Sequence, residues 1–356
     1  YLPTLSLTGS YLNTLKETPI SPRDALRGNL NLNYTLYDGG MREALYDKLL
    51  YTVDASKENL EATKNTLALD ITRLYFAYLS FDAQSKSTLQ EIEQIEAELQ
   101  RVKMFYETGS VTQDEVDKLD SRLKTQKVLL SEIEIEKQRV LHTLEYYTDE
   151  EIVSLTSGAK VNLQSVQDVE VRPDVKLLEL QANSMLYDAE VTKSQNFPSV
   201  NFNNSYTYTE FFFQGNESPF VVNSQNVASL NVTWNVFDFG AIQEAYESKQ
   251  YEYLAQKATV EFEKNRASVE QRLAQKELEI TQMKLAASEL AFDAASQTYE
   301  LIKIKYQNGA IDNVAYLQAL SEKQNALYTY EKTKNDVETK KVELLYYSGK
   351  KIWEFL

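Results

Sequence analysis

The chain repeats itself at a fixed offset of 200 residues, and this spacing holds without a gap over more than a hundred positions. Most positions differ between the two copies, so the copies share spacing more than sequence. A distance kept over such a length indicates long helices that run side by side and turn at the same height. The residues of the first copy that recur at this offset are Leu30, Asn31, Asp38, Gly40, Tyr46, Tyr106, Gly109, Ser121, Leu144, Tyr146 and Tyr147.

Two long segments carry neither glycine nor proline, although the chain has 356 residues with only 10 Gly and 6 Pro. Residues 41–108 and 241–308 are rich in Ala, Leu, Glu, Lys and Gln, which favour helices. At about 1.5 Å per residue, each predicts a helix of roughly 100 Å. Gly109 and Gly309 follow them and fit helix C-caps that let the chain reverse. Return helices are therefore predicted over 113–147 and 313–347.

Four short segments alternate strictly between apolar and polar residues, which predicts strands over 3–11, 29–37, 198–209 and 228–237. Each has about the ten residues that a tilted strand needs to cross a bilayer. Their polar faces hold uncharged Asn, Ser and Thr, which suit a wet lumen. The pattern leaves two interpretations open: strands in a membrane, or soluble hairpins with one buried face.

These elements form two strand–strand–helix–helix repeats. The first repeat covers 1–157, a segment with a helix starting near Pro173 covers 158–195, and the second repeat with a C-terminal tail covers 196–356. Asp38 and Gly40, like Asp238 and Gly240, mark the change from strand to helix, where an acid favours the helix N-terminus. The first repeat has no leading helix, so we expect the sequence to start inside the mature protein, after any signal peptide or lipidated residue.

Composition excludes several classes of function. The net charge of −16 disfavours nucleic acid as a partner, because phosphate binding needs a basic surface. There is no cysteine and only one histidine, His142, which a packed or solvated helix explains. We find no nucleophile–base pair, no glycine-rich phosphate loop and no metal-ligand spacing, so the sequence predicts neither an enzyme nor a cofactor.

Four strands cannot close a barrel alone, and open sheet edges are not tolerated in lipid. If the strands lie in a membrane, copies must combine: two give 8 strands, three give 12 and four give 16. The residues alone do not choose among these numbers. The competing interpretation is a non-channel coiled-coil scaffold, which accounts for the helices and the acidity but not for four strands of bilayer length.

Order and spacing of the motifs resemble those of the TolC-like outer membrane efflux proteins. The most specific motifs are the segments Phe105–Val111 and Lys305–Ile311 at the two helix turns. The resemblance covers essentially the whole chain. It implies an α+β membrane protein that forms a homotrimer. Its 12-stranded β-barrel would lie in outer membrane lipid of a Gram-negative bacterium and continue as a long α-helical barrel into the periplasm. The segment 158–195 and the C-terminal tail would form an equatorial belt around the helical barrel.

The function implied by the resemblance is that of a passive exit duct. It would export drugs or small molecules in a tripartite pump, together with a periplasmic adaptor (membrane fusion) protein and an inner-membrane pump of RND or ABC type. A duct for type I protein secretion is the alternative. The resemblance also implies adaptor docking at the periplasmic tip turns, at Thr108, Gly109, Ser110, Val111, Asn308, Gly309, Ala310 and Ile311.

The resemblance further assigns a gate and a pore lining at the tip, with a partial match. Tyr306 takes the place of a tyrosine that ties helices in the closed tip, but Ile311 stands for its arginine and Lys124 for the acidic partner. Ala315 and Gln318 occupy the usual pore-lining aspartate positions. Asp114 and Asp312 are the nearest acids for a negative tip; alternatively, they only stabilise the N-termini of the return helices.

Overall fold

The computed structural model describes residues 2–18, 21–163, 170–214 and 221–355. In chain order the elements are β1 (Thr4–Asn13), β2 (Asp24–Tyr37), α1 (Met41–Glu107), α2 (Gln113–Thr148), α3 (Pro173–Ser194), β3 (Ser199–Phe212), β4 (Ser224–Thr233), α4 (Ala241–Gln307), α5 (Asn313–Tyr347) and a short 3-10 helix (Ile352–Glu354). Within the described ranges, none of the helices is both long enough and apolar enough to cross a membrane.

The chain forms two compact units, and each unit takes segments from both sequence repeats. Unit 1 consists of residues 1–57 and 177–262, and unit 2 of residues 58–176 and 263–356. The boundaries of these units differ from the sequence division at 157 and 195, which describes the sequence repeats and not the compact units. The predicted equatorial segment 158–195 contributes to both units, and its residues 164–169 lie outside the described part of the chain.

Unit 1 contains a four-stranded antiparallel sheet in the order β1-β2-β3-β4. The central pair, β2 with β3, joins the two sequence repeats. Leu7 pairs with Leu30, and Leu30 pairs with Tyr206, so apolar side chains share one face. The neighbouring row of Asn31 and Ser205 lies on the opposite face. The alternation in the sequence thus becomes one apolar and one polar face, as period two requires.

All four strands differ from their predicted bounds, because β1 ends at Asn13 and β3 at Phe212 instead of 11 and 209. The larger shifts, in β2 and β4, follow from pairing. β2 begins at Asp24 rather than 29, since residues 24–28 pair with β1 on one side and with β3 on the other. β4 occupies Ser224–Thr233 rather than 228–237. Its last residue, Thr233, pairs with Ser199, the first residue of β3, so residues 234–237 lie beyond the end of the partner strand.

Unit 2 is held together by apolar stripes of its helices. The cluster next to the helix turns buries residues of α1, α2, α4 and α5, among them the fully covered Ile95, Leu119 and Leu320. Full burial of each such side chain contributes about 1.5–3 kcal/mol of transfer free energy. Val116, Leu119 and Leu123 of α2 are therefore helix-packing core.

The C-terminal segment packs on the same unit. Ile352 is fully buried beside Leu69 and Leu345, and its N–H donates to Asn65 Oδ1 at 3.0 Å. Nearby, the buried Glu343 accepts hydrogen bonds from Arg73 and Lys340 at 2.7 Å each. Burial by itself favours the neutral acid, but the two cations outweigh it and lower the pKa of Glu343 below its usual 4.5.

Candidate functional site: the helix turns of unit 2

The two helix hairpins end in the same backbone motif. Gly109 has φ 74°, its N–H donates to Tyr106 O at 2.9 Å, and the N–H of Ser110 donates to Phe105 O at 2.8 Å. At the second turn, Gly309 has φ 68° and the two equivalent bonds measure 3.0 and 2.9 Å. This pair of bonds is the Schellman motif, which satisfies the last helical carbonyls and needs a left-handed residue. The turn geometry explains why glycine recurs at this offset.

Most predicted docking residues are exposed at these turns. Thr108, Gly109, Ser110, Asn308, Gly309 and Ala310 are exposed, whereas Val111 and Ile311 are half-buried. Val111 packs against the apolar cluster of unit 2. The Thr108 hydroxyl donates to Phe105 O at 2.9 Å and so supports its own turn. The turns therefore present backbone and small side chains to their surroundings, and Val111 serves the core as well.

The return helices begin differently in the two copies. Asp312 is the N-cap of α5, and its carboxylate accepts the N–H of Ala315 at 3.0 Å. In the first copy Thr112 holds the N-cap position without a side-chain cap bond. Asp114 instead accepts hydrogen bonds from the hydroxyl of Thr112 and from Lys118, and these bonds lower the pKa of Asp114. Both acids have a local structural role.

Tyr306 lies in a half-buried polar cluster. Its hydroxyl donates to Glu98 Oε1 at 2.5 Å, and Arg101 donates to the same oxygen from Nε and Nη2 at 3.1 and 2.8 Å. The Arg101 guanidinium lies 4.6 Å from the centre of the Tyr306 ring, and that ring stacks on Tyr316 at 4.8 Å. Burial, with the Glu98 carboxylate beside it, raises the pKa of Tyr306. We call Glu98, Arg101, Tyr306 and Tyr316 the Glu98 cluster; it ties α1 to α4 and α5.

A second buried carboxylate holds an arginine that also reaches a third helix. Glu91 of α1 accepts from Arg122 Nη2 at 2.8 Å and from Gln126 Nε2 at 3.1 Å, both on α2. Arg122 Nη2 also donates to Ser321 Oγ of α5 at 2.8 Å. The two hairpins of the unit are therefore connected by the bond from Tyr306 to the Glu98 carboxylate and by the bond from Arg122, which Glu91 holds, to Ser321. Hydrogen bonds with a charged partner are roughly twice as strong as neutral ones.

Lys124 takes no part in these connections. It is exposed and pairs with Asp120 at 2.6 Å on its own helix, and no described contact joins it to Tyr306 or Ile311. Ala315 is half-exposed, and the exposed Gln318 donates to Glu322 at 3.0 Å.

Sequence reasoning found Tyr306 but missed both of its polar partners. Only part of the signal was available: Glu98 lies beside the buried apolar residues Ile95 and Leu99, which indicates a buried carboxylate but not the helix that supplies its partner. An acid next to an otherwise apolar helix stripe is costly to bury unless a cation or a hydrogen-bond donor meets it.

The second strand–helix junction, in unit 1, is capped by its acid. Asp238 accepts from the N–H of Gly240 at 3.0 Å and from the N–H of Ile242 at 2.8 Å. This satisfies two of the unpaired N–H groups at the start of α4. The aspartate therefore has the helix-start role that the sequence pattern indicates.

The first junction uses its acid differently. Asp38 binds Arg42 Nε at 3.0 Å, in the first turn of α1. Gly39 and Gly40 both have positive φ, of 71° and 88°. The space beside Gly40 is open, but a Cβ at Gly39 would lie 2.5 Å from the carbonyl oxygen of Ser194. Both glycines of the junction therefore have a positive φ, and Gly39 is the one that also lies close to a neighbouring carbonyl oxygen.

The fold is that of known outer membrane channels. The crystal structure of the outer membrane protein VceC from Vibrio cholerae has a TM-score of 0.80 at 15% identity, covering 98% of this chain and 86% of that one. The Campylobacter jejuni outer membrane channel CmeC gives 0.81 at 16% identity, covering 98% and 78%. The open-state MtrE outer membrane channel of Neisseria gonorrhoeae gives 0.80 at 16% identity, covering 99% and 81%. No curated protein sequence matches significantly.

The family match extends over nearly all of the chain. The sequence matches the family described as outer membrane efflux protein over residues 1–147 and 167–350. These ranges contain most of both sequence repeats, the four strands, both helix turns and both strand–helix junctions. The chain therefore belongs to the outer membrane efflux protein family, a family of channels, and its place is the bacterial outer membrane.

Proposed function

We propose that this protein is the outer membrane exit duct of a tripartite efflux pump, and that three copies close one 12-stranded barrel. The observation that carries the proposal is the sheet of unit 1. Its edge strands, β1 and β4, have no outer partner strand among the described residues. Unpaired backbone groups in lipid cost several kcal/mol each, so a sheet of this kind in a membrane must be closed by further copies.

The faces of the sheet support a membrane position. On the apolar face, Leu5 is 66% exposed, Leu7 79%, Leu230 62% and Val232 64%. These side chains stand in one band across the strands and nothing within the described chain covers them. A continuous band of exposed apolar side chains marks contact with lipid or with another protein. The opposite face is polar and almost uncharged, which suits a water-filled lumen.

The helix turns of unit 2 are the proposed periplasmic tip. The exposed backbone and small side chains of residues 108–110 and 308–310 offer close approach to a helical hairpin of an adaptor protein, which in turn joins an inner-membrane pump of RND or ABC type. The Glu98 cluster takes the tying role that the resemblance gives to Tyr306, with Glu98 and Arg101 as its partners. Asp114, Asp312, Ala315, Gln318 and Lys124 are the proposed lining or rim of the pore, in a homotrimer of which each copy contributes one set.

Size measurement of the detergent-purified protein tests the duct. Light scattering corrected for bound detergent is expected to give about 123 kDa, three copies of 40.9 kDa. Leu7→Glu is expected to abolish the trimer, because it places a charge on the lipid face of β1. The matched control is Ser6→Glu on the neighbouring polar face, which is expected to leave assembly intact.

Two results would contradict the proposal. A monomer or dimer that stays soluble without detergent would refute the barrel and favour a coiled-coil scaffold. Equal tolerance of Leu7→Glu and Ser6→Glu would show that the apolar face does not meet lipid. A complementation assay would link the trimer to export. In a host that lacks its own duct, the wild-type protein but not Leu7→Glu is expected to restore resistance to toxic small molecules.

A further inference from the structure

Charge is nearly absent from the sheet of unit 1. Its four strands contain only three charged residues: Asp24, Arg27 and Glu210. Glu210 pairs with Leu26 and therefore lies on the apolar face, as does Asp24 by the alternation of β2. Asp24 also accepts hydrogen bonds from Tyr11 and Asn13. Arg27 is thus the one charged side chain on the polar face of the four strands.

The row that contains Arg27 lies close to one end of the sheet. Arg27 pairs with Ser10 and with Thr209, and β2 begins three residues earlier, about 10 Å away along the strand. β1 ends at Asn13 and β3 at Phe212 at this end of the sheet, whereas the strand–helix junctions at Asp38 and Asp238 lie at the other end. The next three rows toward the junctions hold only uncharged side chains on this face.

Arg27 keeps most of its hydrogen-bonding capacity. Its side chain is exposed, and its Nε donates to Thr209 Oγ1 at 3.4 Å, a long contact. No carboxylate in the described ranges forms an ion pair with it. Both terminal nitrogens of the guanidinium therefore remain available to a ligand, and a guanidinium fork suits the oxygens of a carboxylate or phosphate.

We propose that Arg27 of three protomers forms a cationic ring at the hairpin end of the barrel, which binds polyvalent anions such as multiply charged carboxylates. The inference rests on the proposed trimeric duct, since one copy supplies only one arginine. With strands about 4.8 Å apart and tilted by about 40°, a 12-stranded barrel has a radius of about 12 Å. The ring thus favours anionic cargo or anionic inhibitors in a lumen that is otherwise uncharged.

Salt concentration determines how far the ring acts. The Debye length is about 10 Å at 0.1 M salt, close to the barrel radius, and about 3 Å at 1 M. At low salt the three charges jointly act on the lumen, and at 1 M each is screened from its neighbours. Binding of a polyvalent anion is therefore expected at low salt and lost at high salt.

Planar bilayer recordings with citrate as the probe test the ring. At 0.05 M salt, citrate added on the hairpin side is expected to reduce the current through wild-type channels. Arg27→Gln is expected to raise the half-blocking concentration on the order of tenfold, as loss of a focused cationic site predicts. Arg27→Lys keeps the charge and is expected to stay within about threefold of wild type. Arg23→Gln removes the same charge from the adjacent hairpin connection and serves as the matched control.

A second measurement tests citrate binding even if the tip is closed and the channel conducts no ions. The melting temperature of the detergent-solubilised trimer is expected to rise with citrate at low salt in wild type and Arg23→Gln, but not in Arg27→Gln. Equal effects of citrate on all variants, in either measurement, would overturn the ring. Absence of a trimer would instead overturn the proposed duct, so the two failures are distinguishable.

Discussion

The Glu98 cluster is expected to hold the two hairpins of unit 2 together at the turns, and Tyr306→Phe isolates one of its bonds. The substitution removes the hydroxyl that donates to Glu98 at 2.5 Å and keeps the ring stacked on Tyr316. Glu98 stays only 8% exposed and retains both hydrogen bonds from Arg101. Loss of one hydrogen bond to a buried charge costs about 1.5–3 kcal/mol.

This cost applies to local opening of the tip. At about 1.4 kcal/mol per tenfold change, a loss of about 2 kcal/mol raises the population of the opened state about 30-fold. Hydrogen–deuterium exchange of the detergent-solubilised protein measures it directly. Amides on the facing segments 94–107 and 299–316 are expected to exchange about 30-fold faster, provided that they exchange through this opening.

Tyr106→Phe is the matched control, because Tyr106 is the counterpart of Tyr306 in the first repeat. It is 44% exposed, and its hydroxyl makes no hydrogen bond within the described residues. The control is expected to exchange at the wild-type rate. A change below threefold in Tyr306→Phe, or equal changes in the two variants, would refute the tying role of the Glu98 cluster.

Three further predictions concern a cap, a junction and a buried acid. Asp312→Ala is expected to destabilise the start of α5 by about 1 kcal/mol, while Asp312→Asn retains the cap; reduced cation selectivity of the channel in Asp312→Asn would show an additional role in the pore, and unchanged selectivity a purely structural one. Gly39→Ala and Gly40→Ala each place a non-glycine residue in the left-handed region, which costs about 1–2 kcal/mol. Only the Cβ of Gly39→Ala lies 2.5 Å from a carbonyl oxygen, so the melting temperature of this variant is expected to fall further than that of Gly40→Ala. Equal falls in melting temperature would contradict the close contact. The lowered pKa of Glu343 means that its contribution to stability is full above its usual value of 4.5 and is lost as the pH falls through the lowered one. Glu343→Gln is therefore expected to melt below wild type at pH 7, and the difference in melting temperature is expected to shrink as the pH falls below 4.5; a difference that does not change with pH would contradict this.

The elements of this fold are predictable because their signals are local. Period two produced the two faces of the sheet, and the absence of glycine and proline over 41–108 and 241–308 predicted α1 and α4 to within a residue. The start of β2 at Asp24 was not predictable in this way, since Asp24 and Gly28 interrupt the apolar positions and only pairing with two neighbours makes the segment a strand.

The tip shows the same limit. Each glycine turn follows from one residue type, so both turns were predictable. The partners of Tyr306 were not, because Glu98 and Tyr306 are 208 residues apart and no periodicity within α1 says which helix will meet it. Likewise, the family resemblance assigned Lys124 to the position of the acidic gate partner from its place in the sequence. The structure places Lys124 on an exposed helix face, where it pairs with Asp120 of its own helix.

The central pairing of β2 with β3 has a consequence for biosynthesis. Leu30 pairs with Tyr206, so the sheet joins residues that leave the ribosome about 176 positions apart. Closing so long a loop carries an entropic cost, and contacts of this range form late in folding. The β1–β2 hairpin, with its leucines exposed, must therefore wait for more than half of the remaining chain. During this interval the hairpin exposes apolar surface that a holding chaperone can bind. In a host that lacks such a chaperone, we expect this protein to be lost to aggregation or proteolysis.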